Sequence, residues 1–417
     1  MHRFQGLRVP GVWGVRSQPP PPHLQWPPAP PPIARAKSDS SGLFIPYMTP
    51  SVGSSSGSEN EDVDEEDYYD EEAENDDAED SPVESSHGWR GRPVQNMELI
   101  MPHRANQLHT IKAYRYRASR GQWKHIPMPT DDEIEDMKEA PDRKHPSNVR
   151  IVTWNIDFAA PDAQGRLIAA LRHLERDVLG CRPGEAPFDP CMVLLQEVSV
   201  HAFPLIFEDE WVRRHFQVTP SSSGKWPEGQ TYGNVTLISR GLTVVKCQIL
   251  HYGNSDMGRT ALATYILLSE PAPTEEVVMM CIVNTHLESL SRGFYARPGQ
   301  LKLASAFLKK EGVRGGVIAG DMNPTESADA NIDLDLGLRD AWRKPERDRS
   351  GWTWGLQERN PSPWPPNRFD KIFYLGRRGY KIAQPERIGV DKRTPYGEWI
   401  SDHYGLETTL RLVSPRK

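Results

Sequence analysis

The sequence predicts a single large α/β domain in the C-terminal two-thirds of the chain, behind a long segment that cannot build a core. Three observations carry this. From Val149 onward, apolar runs bounded by turn residues alternate with helical stretches: about ten strands and three longer helices over roughly 270 residues, the content of one domain. Only 37% of the 417 residues are hydrophobic, and 12 of the 38 prolines fall in the first 50 residues. Residues 59–80 carry 15 Asp or Glu and no Lys or Arg.

Residues 1–88 read as a disordered tail: proline-rich, then Ser/Gly, then acidic. Such composition buries too little apolar surface to offset the entropy of ordering. The first 37 residues hold Arg and Lys but no acid, as a mitochondrial presequence does. QPPPPHLQWPPAPPP (18–32) cannot form the amphipathic helix such a leader needs, because proline removes backbone donors. The acidic run suits a basic protein partner such as a histone, or mimics nucleic acid; its plainest reading is a solvated spacer. It also distorts the formal charge. Without its 15 acids, −7 becomes +8, so the net charge does not argue against a polyanionic substrate.

Residues 89–146 are assigned to a basic, polar linker or arm. Arg90, Arg92, Arg104, Lys112, Arg115, Arg117, Arg120 and Lys124 interleave with Trp89, Tyr114, Tyr116 and Trp123. That mixture suits a nucleic-acid strand and equally suits an arm packed on the domain. Pro129, Pro141 and Pro146 mark 129–147 as the last linker.

The α/β domain is placed at 147–417. Strands are predicted at 149–155, 191–196, 232–239, 242–249, 259–268, 276–285, 316–320, 369–375, 380–390 and 403–412. Helices are predicted at 162–178, with Leu167, Leu171, Leu174 and Val178 on one face, at 202–214 and at 298–311. Gly312 follows the last of these at a C-cap position. No run of 18 apolar residues exists, so no transmembrane helix and no membrane partner are expected. Cys181, Cys191, Cys247 and Cys281 form no CxxC pair and sit in or beside apolar runs, which argues against a disulfide framework or structural zinc.

What ends these strands is informative. Asn155 and Asp157 end the first, Gln196 and Glu197 the second, and Asn284 with His286 and Glu288 the strand before the third helix. Asp321 and Asn323 follow 316–320, Asp370 opens 369–375, and Asp402-His403 opens the last strand. Taken singly, each has an ordinary reading: a solvated strand end, a Gly-Asp turn, a satisfied histidine. Together they supply carboxylates for a hard cation, carboxamides to orient a nucleophile and imidazoles for an anionic oxygen. Oxygen ligands without a Cys/His cluster suit Mg²⁺ or Mn²⁺ rather than zinc.

The ordered series TWNID, QEV, THLES, GDMN, RFDKIF and SDHYGLE resembles the endonuclease/exonuclease/phosphatase superfamily with its DNase I-like fold, over roughly residues 147–413. Within it, the sequence is most similar to the 5′-tyrosyl-DNA phosphodiesterases of type 2. The resemblance implies a four-layer sandwich of two packed mixed β-sheets flanked by helices. It implies a Mg²⁺-dependent phosphodiesterase of DNA repair that removes a tyrosine or peptide covalently joined to DNA 5′ ends, leaving a 5′-phosphate. Glu197 would be the principal metal ligand, with Asp157 and Asp402 contacting the metal directly or through water. Asp321 would orient or deprotonate water, with Asn155 and Asn323 holding water and phosphate. His286 and His403 would hydrogen-bond the non-bridging oxygens, and Asp370 would orient His403. A nuclear location and a monomer follow from the same resemblance, with mitochondrion or cytoplasm as the alternatives for compartment.

One departure bears on substrate. The family usually continues GDxN with Leu-Arg-Asp, whereas this chain has Pro324-Thr325-Glu326, so no arginine stands at Thr325. Arg292, Arg297 and Arg368 are the candidate substitutes. Residues 339–393 hold 14 Lys or Arg against 7 Asp or Glu, a local phosphate track in a region (147–417) that is otherwise near neutral. Trp352, Trp354 and Trp364 suit either base stacking or core closure. The competing readings are another hydrolase on the same scaffold (abasic or general nuclease, deadenylase, inositol-phosphate or sphingomyelin hydrolase) and a non-catalytic interaction protein.

Overall fold

A computed structural model describes residues 104–140, 144–357 and 365–414. The chain divides into Met1–Arg90 and Gly91–Lys417. The first unit, and with it the expected tail, lies outside the described residues, as do 89–103 and Trp364.

The elements run in order: β1 (Gln107–Ile111), β2 (Tyr114–Arg117), β3 (Gln122–His125), α1 (Asp131–Glu139), β4 (Asn148–Asn155), α2 (Ala163–His173) and β5 (Cys191–Ser199). Then come α3 (Phe203–Glu208), α4 (Glu210–His215), β6 (Phe216–Thr219), β7 (Tyr232–Ser239), β8 (Thr243–His251), β9 (Thr260–Ser269) and β10 (Val277–His286). The last are α5 (Arg297–Leu308), β11 (Val313–Asp321), α6 (Ile332–Asp335), β12 (Leu338–Asp340), β13 (Asp370–Leu375), β14 (Tyr380–Ile382), β15 (Glu386–Ile388) and β16 (Gly405–Leu412).

They form two mixed sheets, ordered β1-β8-β9-β10-β11-β13-β12 and β14-β16-β4-β5-β7-β6-β2-β3, with β15 on β16. Ile151, Val193 and Leu237 of one sheet share a buried cluster with Ile249, Ile282 and Val317 of the other. Strand side chains alternate between faces, so the intervening Cys281, Val283 and Ile318 point away from that core and pack with Leu301, Ala304, Phe307 and Leu308 of α5. Helix α2 buries Leu167 and Leu171 against the other sheet. Both faces of the central strands are therefore covered, giving four layers. This is why the central strands read as solid apolar runs rather than as alternation. Each fully buried Leu or Ile contributes about 1.5–3 kcal/mol.

The sequence reading is revised at the margins. The segment assigned to a linker or arm carries β1, antiparallel to β8, and β2, antiparallel to β6 with β3 beyond it. They lie at the sheet margins, β1 and β3 as the edges, with exposed or half-buried side chains, so their apolar signal is weak. The presumed last linker contains α1, held by a Thr130–Glu133 capping box and burying only Ile134. The helix expected over 202–214 divides at Asp209, whose side chain caps α4 through the Val212 amide. The strand expected over 380–390 breaks around Pro385 into β14 and β15.

Two features place the site. Each sheet holds one parallel pair joined by a helical crossover, β4-α2-β5 and β10-α5-β11. Each pair ends in register, Asn155 beside Gln196 and His286 beside Asp321. Antiparallel neighbours then bring strand beginnings to the same edge, Asp370 opposite Asp321 and Leu406 opposite Thr153.

Candidate active site

Asp321 is the centre. Its Oδ2 accepts from Asn155 Nδ2 at 3.0 Å and lies 3.3 Å from His286 Nε2 and 3.7 Å from His403 Nε2. Its Oδ1 accepts from the Asn323 amide at 3.0 Å. Asn323 in turn donates through Nδ2 to the Leu287 carbonyl. Burial holds the Asp321 carboxyl above its ordinary range, opposed by His403.

The two histidines differ in charge because their partners differ. His403 Nδ1 meets Asp370 Oδ2 at 2.8 Å. Burial opposes protonation there, but Asp370, Asp321 and Asp402 outweigh it and raise His403 well above the usual imidazole range, so it is an imidazolium. His286 Nδ1 faces the Arg259 guanidinium, with Nη1 at 2.8 Å. A guanidinium only donates, so Nδ1 accepts and the proton sits on Nε2. Burial first, then the Arg259 and His403 charges, hold His286 well below its ordinary value, and it is neutral. Its buried Nε2 has no hydrogen-bond partner of good geometry. One imidazolium and one neutral N–H donor thus face the same space.

Arg259 was not anticipated by the sequence reading, since a lone arginine opening an apolar strand carries no motif. It also bonds Ser289 Oγ at 2.6 Å and lies 5.5 Å over the Tyr232 ring. Glu288 of the THLES run stays out of the site. It accepts from Ser255 Oγ and the Asp256 and Met257 amides, fixing the loop that delivers Arg259. Replacing Arg259 by Lys keeps the charge but loses the fork spanning His286 and Ser289. A fall in kcat of about tenfold to a hundredfold is expected, measured against any turned-over phosphodiester.

Opposite Asp321 stand the other carboxylates. Glu197 occupies a bulge in β5 between Leu195 and Val198, at φ +56°. Asp157 and Asn323 are also left-handed, at φ +53° and +47°. Three non-glycine residues in this conformation, two at strand ends of one sheet and one at a strand end of the other, store strain of about 1–3 kcal/mol each, held by the surrounding bonds. Glu197 Oε2 accepts from the Phe158 amide at 3.2 Å, while burial pushes its carboxyl up to about 7, opposed by Arg259 and reinforced by Asp402. Asp402 accepts from Trp354 Nε1 at 3.2 Å, and burial raises it too, with Asp157 adding to the effect. Asp157 is fully committed, its Oδ2 to Arg166 at 3.0 Å and its Oδ1 to the Ala159 and Ala160 amides. Arg166, missed in the sequence because it lies on a helix face, is therefore the anchor of Asp157.

The donor set fits a hard divalent cation. Glu197 and Asp402 each keep one oxygen free of hydrogen-bond donors among the described residues, whereas Asp157 is disposed to act through water. Like-charged carboxylates under desolvation need a counter-charge. Asp321, Asp370 and His403 also bring ligand atoms within 4.8 Å of one another. That cluster is already an ion pair, and the imidazolium repels a cation.

Other expectations fall outside the site. Gln196 turns inward and bridges the sheets, its Nε2 donating to Asn284 Oδ1 and Thr153 Oγ1 at 2.8 and 2.9 Å. Arg297 is wholly buried on Asp329 and Thr325, and Arg368 pairs with Asp340 and Glu346, so neither reaches the site in place of the missing arginine. Arg292 is exposed. Trp354 stacks on Phe369 at 4.6 Å, closing the core beneath Asp402. The four cysteines are buried and free, and no described helix is long and apolar enough to cross a membrane.

A four-layer sandwich whose shared sheet edge joins a buried Asp, a charged and a neutral imidazole and a crowded carboxylate set defines a hydrolase of phosphodiester bonds. The chain belongs to the Endonuclease/Exonuclease/phosphatase family, whose model matches residues 152–403. Enzymes of this family depend on a divalent metal. Among its relatives is tyrosyl-DNA phosphodiesterase 2 of Rattus norvegicus, 28% identical over 279 residues, covering 64% of this chain and 68% of the relative. The Mus musculus protein of the same name is 27% identical over 277 residues, 64% of this chain and 67% of the relative. A crystal structure of humanized D. rerio TDP2 shares the fold, with a TM-score of 0.50 at 20% identity over 64% of this chain and 99% of that one.

Proposed function

We propose that this protein hydrolyses the phosphodiester joining a tyrosine to a DNA 5′ end, with Mg²⁺ (Mn²⁺ also suits the oxygens), releasing a 5′-phosphate and a free phenol. The observation that carries the reading is the convergence of Asn155, His286 and His403 on one oxygen of Asp321, opposite the Glu197–Asp402 carboxylates. The relatives' name adds the tyrosyl substrate.

Asp321 accepts a proton from a water that Asn155 and Asn323 help to place; its raised affinity for protons suits a base working near neutral pH. A phosphodiester is anionic and repels hydroxide, so the imidazolium of His403 and the Nε2–H of His286 donate to its non-bridging oxygens as the water–phosphorus bond forms. Asp370 keeps His403 oriented and charged. Glu197 and Asp402, with Asp157 beside them, would hold the cation, which when bound would supply charge neutralisation. The phosphorus–oxygen bond to tyrosine breaks without a general acid, because a phenol of pKa about 10 is a better leaving group than a sugar hydroxyl.

Nuclear DNA repair by a monomer, with a basic protein on the acidic tail, is the setting we propose. Imaging of a tagged full-length chain tests the compartment. The activity is tested by a panel with Mg²⁺: 5′-phosphotyrosyl oligonucleotide, abasic duplex, poly(A), an inositol polyphosphate and sphingomyelin. The tyrosyl substrate is expected to turn over best, and activity is expected to vanish with EDTA. Turnover of a non-tyrosyl substrate alone would reject the reading and leave the family membership intact; Thr325 in place of arginine makes that comparison informative.

A further inference from the structure

A cavity of about 410 Å³ lies beside α6, β12 and β13, and Arg339, Arg343, Arg368 and Lys371 line it. Arg368 is only 4% exposed. Its Nε and Nη2 are committed to Glu346 and Asp340, while its buried Nη1 has no hydrogen-bond partner. Trp342 lines the same cavity, and its Nε1 is also buried without a partner. Both groups only donate, so whatever completes them must accept. Glu346 shows the kind of group that suits the place. One of its carboxylate oxygens meets Arg368 and the other lies 3.3 Å from Lys371 Nζ, the two-pronged contact that a phosphate makes with its non-bridging oxygens. Burial opposes that charge, but Lys371 and then Arg368 hold the Glu346 carboxyl below its ordinary range. Yet the side chain is 54% exposed and belongs to the connection between β12 and β13, so it can leave without disturbing the core.

We propose that this cavity is a subsite for a backbone phosphate of the nucleic-acid strand, and that Glu346 occupies it until the strand displaces it. The inference rests on the nucleic-acid substrate of the reading above and is independent of the tyrosyl group. Its place in the fold favours a strand over a free anion. Arg368 and Lys371 flank Phe369-Asp370, and Asp370 holds His403 and lies opposite Asp321. The Phe369 carbonyl accepts from the Met322 amide, so the Arg368 segment runs beside the turn that carries Asp321. Arg368 and Asp370 are thus at most about 7 Å apart along the chain. Of the groups joined at a scissile phosphorus, only the strand bears further phosphates at a fixed spacing. Arg339 and Arg343 are exposed and continue the basic surface outward, within the stretch 339–393 where bases outnumber acids. The exchange also balances in charge. A phosphodiester replaces one carboxylate between Arg368 and Lys371, Asp340 keeps Arg368 in place, and the unmet Nη1 and Nε1 donors gain acceptors.

The test follows, by fluorescence anisotropy with Mg²⁺, the binding of full-length protein to a 5′-phosphorylated single strand of about twelve nucleotides. Glu346→Gln removes the competing charge and is expected to tighten Kd about fivefold, a gain that misfolding cannot mimic. Asp348→Asn makes the same change of charge on an acid that pairs with Lys344 outside the cavity, and asparagine can still cap Ser350. It is expected to move Kd by less than about twofold. Adding Lys371→Met to Glu346→Gln is expected to cancel the gain and to flatten the slope of log Kd against log salt by about 0.7, the share of one phosphate contact. Equal effects of Glu346→Gln and Asp348→Asn would mean that net charge alone is at work and would overturn the subsite, as would an unmoved Kd. So would a gain seen by calorimetry for inorganic phosphate but not for the strand, since the cavity would then serve a free anion. A wild type that binds no strand overturns the nucleic-acid reading itself and the subsite with it, and that result is seen without any variant.

Discussion

Asp321→Asn is expected to lower kcat about 10³-fold, within the range for loss of a positioned general base. The substitution is nearly isosteric, so its cost follows from hydrogen-bond polarity. Asn155 Nδ2 donates to Oδ2, the Nε2 atoms of His286 and His403 lie 3.3 and 3.7 Å from it, and the Asn323 amide donates to Oδ1. An asparagine must place its NH₂ at one of these two positions. If the amide oxygen stays with the three side chains, the NH₂ meets the Asn323 N–H. One donor–donor contact remains, costing about 1–3 kcal/mol. Against this, a carboxylate whose charge burial already disfavours has been removed. The two effects oppose, so the melting temperature should shift by no more than a few degrees while turnover collapses. Thermal denaturation followed by circular dichroism and single-turnover kinetics measure the two separately. A kcat within tenfold of wild type would remove Asp321 from the role of base, and unfolding would show that the carboxylate is structural.

The sequence made this centre legible because its residues sit where regular structure fixes them. Asn155, His286 and Asp321 end central strands that are buried on both faces, and their solid apolar runs announce where each strand stops. Register does the rest, pairing Asn155 with Gln196 and Asp321 with both His286 and Asp370. Gln196 shows the limit of that logic. It shares a strand end with Glu197, but successive strand residues face opposite ways, and a bulge with a left-handed Glu197 redirects only the glutamate. Nothing in the letters QEV distinguishes the inward residue from the outward one. Arg259 and Arg166 were invisible for another reason. Their roles lie in charges supplied to His286 and Asp157 by segments distant in sequence. The marginal strands β1 to β3 were lost because exposed sheet margins carry charged and aromatic residues, the same composition as a nucleic-acid arm.

Glu197→Gln is expected to produce the second large loss, distinguished from the first by its dependence on metal. Glutamine tolerates the φ of +56° no worse than glutamate, and its amide oxygen can still accept from Phe158, so local strain is unchanged. What disappears is one negative charge facing the free side of the carboxylate set. The Mg²⁺ concentration for half-maximal rate should rise about a hundredfold, with kcat at saturating metal also reduced by about 10²-fold. Titration calorimetry reads the affinity without relying on turnover. Stability in chelator should move the other way. Burial lifts the folded-state pKa of Glu197 to about 7, above the unfolded value of 4.5. Between those values the folded protein binds more protons than the unfolded chain, so the metal-free wild type loses stability as pH rises through that window, by about 3 kcal/mol at most. Glutamine has no such titration, and Arg259 losing its counter-charge offsets part of the gain. The variant should therefore show a flatter melting temperature from pH 4.5 to 7 and be at least as stable as wild type at pH 8 without metal. A variant that melts far below wild type there would mean that Glu197 holds the fold rather than the cation.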